Sequence, residues 1–225
     1  TACDTMLSGI DRSDAALEAI FRRERERRIQ CDYGASGKEY LLSQQLMAAT
    51  VFTNLIFPVY AKGRFIRHHV PARYYSTPYS WDSGFIGLAL NEFDRTRAIE
   101  NLNAYVTEPE DEESAFILHG TPLPIQGLLY QDIYNLHHDP EVLSFFYPRL
   151  RQFYRFLAGC ASGSTTRIRG SNLLASWDYF YNSGGWDDYP PQWECRKNAE
   201  NKGVIAPAVS TAYAIRFAKI LRMAA

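Results

Sequence analysis

Cysteine is scarce in this chain: four in 225 residues, at Cys3, Cys31, Cys160 and Cys195. No two form a CxxC pair, and none shares a metal-ligand spacing with a histidine, so no zinc finger or CxxC redox centre is expected. Neither a metal nor a cofactor is expected elsewhere in the sequence. Four scattered thiols fit a reducing or an oxidising compartment equally, and the localisation stays open. Long apolar runs are also missing. The longest uncharged stretch, around Leu46 to Tyr60, is interrupted by Thr50, Thr53, Asn54 and Pro58. It cannot supply the run of about 20 apolar residues that a spanning helix needs, so no membrane partner is expected. Charge of one sign is not in excess either, with Lys+Arg 24 against Asp+Glu 25 and a formal net charge of -1. A general nucleic-acid binder needs a surplus of Lys and Arg to displace counterions, so no nucleic-acid partner is expected. The chain opens Thr-Ala-Cys-Asp-Thr. That start has no basic and apolar leader, so no signal peptide is read, and the missing Met fits a processed, trimmed or longer polypeptide.

What is abundant is aromatic: 14% of residues, with Tyr 15, Phe 13 and Trp 4. Aromatics fill cores, and they also make flat platforms for sugars and other ring-shaped ligands. The length fits a single domain over 1–225, large enough to bury a core without disulfide or metal support. Apolar spacing predicts an all-α chain. Asp11 to Ile29 reads as a helix capped by Asp11 or Ser13, with Leu17, Ile20 and Phe21 on one stripe and a mixed-charge tail from Arg22 to Arg28. Lys38 to Phe57 reads as a deeply buried helix ended by Pro58. Val59 to Ser80 reads as a loop with short strands. Trp81 to Phe93 is helical, and Asp94 caps another helix reaching about Val106. Pro124 to His137 and a segment opening at Asp139-Pro140-Glu141 follow, the latter expected to kink or end at Pro148. Ala206 to Met223 closes the series. The acidic turn from Glu108 to Glu113 lacks the EF-hand spacing and reads as a solvated loop rather than a Ca²⁺ site.

Two loop segments concentrate aromatic and acidic residues. The first runs from Pro71 through Arg73 to Trp81-Asp82-Ser83. The second runs from Trp177-Asp178 to Trp186-Asp187-Asp188-Tyr-Pro190 and on to Glu194. Each sets a carboxylate directly after a Trp. An indole stacks on the apolar face of a sugar, while a neighbouring carboxylate accepts hydrogen bonds from its hydroxyls. A carboxyl desolvated against indole also holds its proton more tightly, as a general acid must. The plainer alternatives are an N-cap role for Asp82 and a turn at Asp187-Asp188.

These segments resemble the (α/α)6-toroid, or six-hairpin, glycosidases of the clan that groups trehalases with processing α-glucosidases, glycoside hydrolase families 37 and 63. Arg73 and Trp81-Asp82-Ser83 resemble the Arg-…-Trp-Asp-Ser sugar-binding segment of trehalases. Asn182-Ser-Gly-Gly-Trp-Asp-Asp-Tyr-Pro190 resembles the Ser-Gly-Trp-Asp loop of trehalases and the Ser-Gly-Leu-Asp-Asp-Tyr-Pro loop of processing glucosidases. His119-Gly-Thr-Pro-Leu-Pro-Ile-Gln126 stands where relatives have a proline-rich loop beside the site. The likeness covers roughly Ser80 to Leu221.

The resemblance implies an inverting glycosidase acting on an oligosaccharide or small glycoside through an α-glucosidic or related α-glycosidic bond. Such an enzyme uses one carboxylic acid to protonate the leaving oxygen and a second carboxylate, about 6.5–9.5 Å away, to activate water. The family's acid matches Asp187. Trp81 and Asp82 match the sugar grip, and Asp188, Arg73, His119, Gln126 and Trp186 are the further lining candidates. The extra Gly185 and Asn182 in place of the trehalase Glu move the likeness toward the processing-glucosidase branch. The family's base is a Glu in the C-terminal part of the toroid, and no Glu here matches its motif. The helices read from the sequence amount to roughly half to two-thirds of such a toroid. The chain is therefore expected to be part of a longer enzyme, or a relative that binds sugar without turning it over. The apolar faces of an incomplete toroid would call for the remaining chain or a second chain to cover them. A helical-repeat interaction protein without a sugar site is a third reading, and it would spread aromatics along helix faces rather than gather them in loops.

Overall fold

The computed structural model describes residues 8–9, 11, 13–26, 35–55, 59–61, 64–66, 69–72, 74–75, 79–111, 123–161, 164, 170–175, 190 and 206–225. The chain divides into two compact units, Thr1–Leu41 and Leu42–Ala225. The described structure is mostly helical, as the apolar spacing predicts.

In the first unit, α1 spans Asp14–Glu26. Ser13 supplies its cap, the hydroxyl accepting from the Ala16 N–H at 3.2 Å. Asp11 in turn accepts from the Ser13 N–H at 2.9 Å. Both predicted cap residues thus act, one on the helix and one on the cap. Arg22 and Glu18 pair one turn apart on its exposed surface. A 3₁₀ helix over Ala35–Tyr40 follows.

Helix α2, Leu41–Thr53, falls in the second unit from its second residue onward. The deep burial expected for this segment is not found. Of its residues only Ala48 is buried, while Leu41, Leu42, Leu46 and Met47 are exposed. Among the described residues the helix docks by one face: Val51 and Phe52 pack against the core, Phe52 meets Phe93, and the Arg97 guanidinium lies 5.2 Å over the Phe52 ring. A composition that is apolar on most sides does not by itself enclose a helix that packs by one face. Two three-residue strands, β1 (Val59–Ala61) and β2 (Arg64–Ile66), then pair antiparallel with Val59 opposite Ile66. These are the short strands expected in that loop.

The core is built from α3 (Ser80–Phe93), α4 (Arg95–Asn103), α5 (Ile125–His137), α6 (Pro140–Leu157) and α7 (Ala208–Ala224). A single residue, Asp94, joins α3 to α4. It is extended, and its carboxylate accepts from the Arg97 N–H, so one residue ends one helix and caps the next. The chain doubles back there, bringing Asn101 of α4 beside Ser83 of α3. His138 and Asp139 make the corresponding corner between α5 and α6. His138 takes the left-handed conformation at φ 50°, and Asp139 caps α6 by accepting from the Glu141 and Val142 N–H groups. Tyr130 of α5 then donates its hydroxyl to the Leu143 carbonyl of α6.

Of the two outcomes expected at Pro148, a kink or an end, the end is not found: α6 continues through it to Leu157. The missing proline N–H removes one internal bond. Phe146, Leu150, Phe153 and Leu157 nevertheless continue one buried stripe through it, against Leu129, Ile133 and Phe217 of the same core cluster. Burial of four large side chains at about 1.5–3 kcal/mol each exceeds the loss of one bond. The acidic turn is tied to this helix. The Gln152 amide donates to Thr107 Oγ1 and the Asp111 carbonyl, and Arg149 pairs with Glu108. Among the described residues no group of three or more His, Cys, Asp and Glu could hold a metal ion. No helix among the described residues is long and apolar enough to cross a membrane.

Candidate functional site

Helices α3 and α5 lie side by side and run in the same direction. Ser80 meets Gln126, Gly84 faces Ile125, Gly87 faces Leu129, and Asn91 meets Asp132, so position advances together along both. Their N-terminal ends therefore sit together, and their C-terminal ends likewise. Each first helix of a hairpin, α3 before α4 and α5 before α6, is parallel to the other. The close approach is permitted by glycine. A Cβ at Gly84 would fall well inside the Ile125 side chain and 3.0 Å from its carbonyl carbon.

The paired N-terminal ends carry three of the candidate residues. Tyr79 and Pro124 flank the two helix starts, and neither supplies a side-chain cap. Trp81 is the second residue of α3, half-buried and edge-on to Phe85 at 5.7 Å. Asp82 is the third residue of α3, also half-buried. It is not the N-cap, since the helix already starts at Ser80. A carboxylate in the first turn faces the positive end of the helix dipole. Gln126 is the second residue of α5 and 1% exposed. Its amide donates to the Ser80 carbonyl, tying the two helix starts together, and its Oε1 is buried without a partner.

Beneath Asp82 lies a polar group that the sequence reading did not single out. The Ser83 hydroxyl donates to Asn101 Oδ1 at 3.3 Å, and Asn101 Nδ2 donates to the Ser83 carbonyl at 2.7 Å. Tyr105 is fully buried beside them. Burial drives its phenol well above the ordinary range. The Ser83 hydroxyl beside it pulls the other way, and the charge of Asp82 adds to the rise. Asp82 is thus within electrostatic reach of a phenol that stays protonated. The one available signal was Asn101 itself, a polar residue on the helix face that also carries Ala98, Leu102 and Tyr105.

The opposite end of the same helix pair holds a second polar chain. His137 Nε2 lies 2.9 Å from Asn91 Oδ1, and Asn91 Nδ2 donates to Asp132 Oδ2 at 2.9 Å. Since Asp132 can only accept when ionised, it turns the Asn91 amide, and Asn91 Oδ1 then requires a proton on His137 Nε2. Desolvation lowers the His137 pKa from its ordinary value, with Arg95 acting in the same sense and Asp132, Asp139 and Glu92 opposing. The folded chain therefore binds this proton less readily than the unfolded one. The stabilising contribution is full above about pH 6.5, the unfolded value, and is lost as pH falls through the lower folded value. The expected result is a urea midpoint that drops as pH is lowered below about 6.5 in the native chain, with a shallower drop in His137→Gln. Equal slopes in the two proteins would contradict this assignment.

Arg73, His119, Trp186, Asp187 and Asp188 lie outside the described residues. No protein-family model, curated protein or solved structure matches this chain.

Proposed function

We propose that this chain is the acid-bearing part of an inverting glycoside hydrolase, cleaving an α-glucosidic or related α-glycosidic bond in an (α/α)6-toroid catalytic domain. The observation that carries the reading is the shared N-terminal end of α3 and α5. It gathers Trp81 and Asp82 from one segment and Gln126 from another at one end of one helix pair. The parallel first helices of two successive antiparallel hairpins are also the alternation that a toroid of hairpins repeats. Trp81 offers a ring face to a sugar, Asp82 accepts from its hydroxyls, and Gln126 fixes the spacing of the two helix starts by holding Ser80. Asp187 protonates the leaving oxygen. The general base has no counterpart among the glutamates of this sequence. That observation favours a second reading, in which the chain keeps the sugar grip but does not turn substrate over.

Asp82→Ala separates a sugar-gripping role from a purely structural one. Loss of hydrogen bonds to a charged group, about 1.5–3 kcal/mol, corresponds to roughly 10- to 150-fold weaker binding. Calorimetric titration with an α-glucoside is expected to show that loss, with hydrolysis falling in parallel. If the variant changes only the melting temperature, Asp82 does not grip a sugar.

A further inference from the structure

The most exposed large aromatic side chain among the described residues is Tyr74, at 81%. It is nevertheless held in place. Its ring lies 4.8 Å from that of Tyr75, at 47°, and Tyr75 meets Tyr79 edge-on at 5.2 Å. Tyr79 flanks the start of α3, two residues before Trp81. The three rings thus form a continuous run from solvent to the end of the helix pair where the sugar grip lies.

The backbone under this run is anchored. Val70 N–H donates to the Asn54 carbonyl at 2.8 Å, and Asn54 Nδ2 donates to the Pro71 carbonyl at 3.1 Å. His69 Nδ1 lies 3.0 Å from the Val51 carbonyl. Tyr75 N–H closes the turn onto the Ala72 carbonyl at 3.0 Å. A rigid aromatic surface binds with little ordering penalty, because its conformation is set before the ligand arrives.

We propose that Tyr74 and Tyr75 form a stacking platform for a sugar residue beyond the one held by Trp81 and Asp82, so that the site favours an oligosaccharide over a monosaccharide glycoside. The proposal rests on the glycoside-binding reading above. Two observations select a sugar as the occupant. The exposed groups are tyrosines, which pair an apolar ring face with a hydroxyl that a carbohydrate can bond. The platform is also small. Each aromatic side chain offers about 150–250 Å², so two rings fall well short of the roughly 800 Å² per partner that a stable protein interface buries. One or two pyranose rings match that area.

The test is calorimetric titration of the native chain, Tyr74→Ala and Tyr74→Phe with methyl α-glucoside, maltotetraose and isomaltotetraose. Tyr74 is exposed, so both variants are expected to keep the native melting temperature. The native chain should bind at least one tetrasaccharide more tightly than methyl α-glucoside. Tyr74→Ala should weaken that tetrasaccharide about three- to tenfold, the range of one aromatic stack, and leave methyl α-glucoside unchanged. Tyr74→Phe should retain most of the gain. Equal binding of mono- and tetrasaccharides by the native chain would overturn the platform alone. So would a Tyr74→Ala loss shared by every ligand, or no loss at all. No sugar binding by the native chain would overturn the proposed function together with the platform.

Discussion

In the complete protein, replacing Asp187 by Asn is expected to abolish hydrolysis of an α-glucoside with a poor leaving group while leaving its binding nearly unchanged. A positioned general acid contributes about 10²–10⁴-fold, because it supplies a proton to the departing oxygen only as the bond breaks. An amide keeps the shape and much of the hydrogen bonding of the carboxyl but has no proton to give. The loss therefore falls on kcat and on kcat/KM together, the pattern of an interaction made in the transition state rather than in the ground state. A substrate whose leaving group departs without protonation, such as α-glucosyl fluoride, provides the control. Its hydrolysis should fall far less in Asp187→Asn. Rates on both substrates, measured at matched folding, decide the matter. An unchanged rate on the poor leaving group removes Asp187 from the role of acid.

The second large effect is on stability. Gly84→Ala is expected to destabilise the chain by about 2–3 kcal/mol, near the top of the range for overpacking. The new methyl would collide with Ile125 Cβ and Cγ2 and approach its carbonyl carbon to 3.0 Å. The carbonyl carbon is backbone and Cβ is bonded directly to it, so these two cannot swing aside, and α3 and α5 must separate. The pairing of Gln126 with the Ser80 carbonyl lies at that same end, so sugar binding should weaken as well. Gly87→Ala is the informative comparison. Its methyl would meet the Leu129 Cδ2 atom, the far end of a flexible side chain, and lie 3.1 Å from Asn101 Nδ2. Leu129 can change rotamer, and alanine in a helix interior returns about 1 kcal/mol over glycine. Gly87→Ala should therefore cost about 1 kcal/mol or less. Urea unfolding of both variants gives the order, and a Gly84→Ala change no larger than that of Gly87→Ala would contradict the packing described.

The contrast between these glycines shows what could be read before the fold was known. Helix starts with their own chemistry were legible: Asp94, Asp139 and Ser13 each accept from the backbone of the helix that follows. The buried stripe Phe146, Leu150, Phe153 and Leu157 was legible from its spacing. Features set by the neighbour rather than by the segment were not. Helix α2 is apolar on most sides yet, among the described residues, packs by one face, and α6 passes through Pro148 because its stripe is packed on both sides of the proline. Nothing in the sequence near Gly84 announces Ile125, about forty residues later, as its contact.

The site divides in the same way. Trp81 and Asp82 were found from a local pattern, but the position of Asp82 within the first turn, rather than before it, depends on the helix starting at Ser80. Gln126 was marked through a resemblance, and its amide is turned to Ser80 across the helix pair. Ser83, Asn101 and Tyr105 assemble only when α4 folds back on α3. A residue-by-residue reading has no access to that arrangement, since Ser83 lies 18 residues before Asn101 on a different helix.

The most direct measurement is proton NMR of the anomeric signals during the first minutes of digestion of an α-linked glucoside by the complete protein, before mutarotation mixes the products. Inversion by an acid and a separately placed base predicts that β-glucose appears first. Initial release of α-glucose would contradict the inverting mechanism. No release of glucose, with sugar binding intact, would overturn catalysis and leave the chain as a carbohydrate-binding protein.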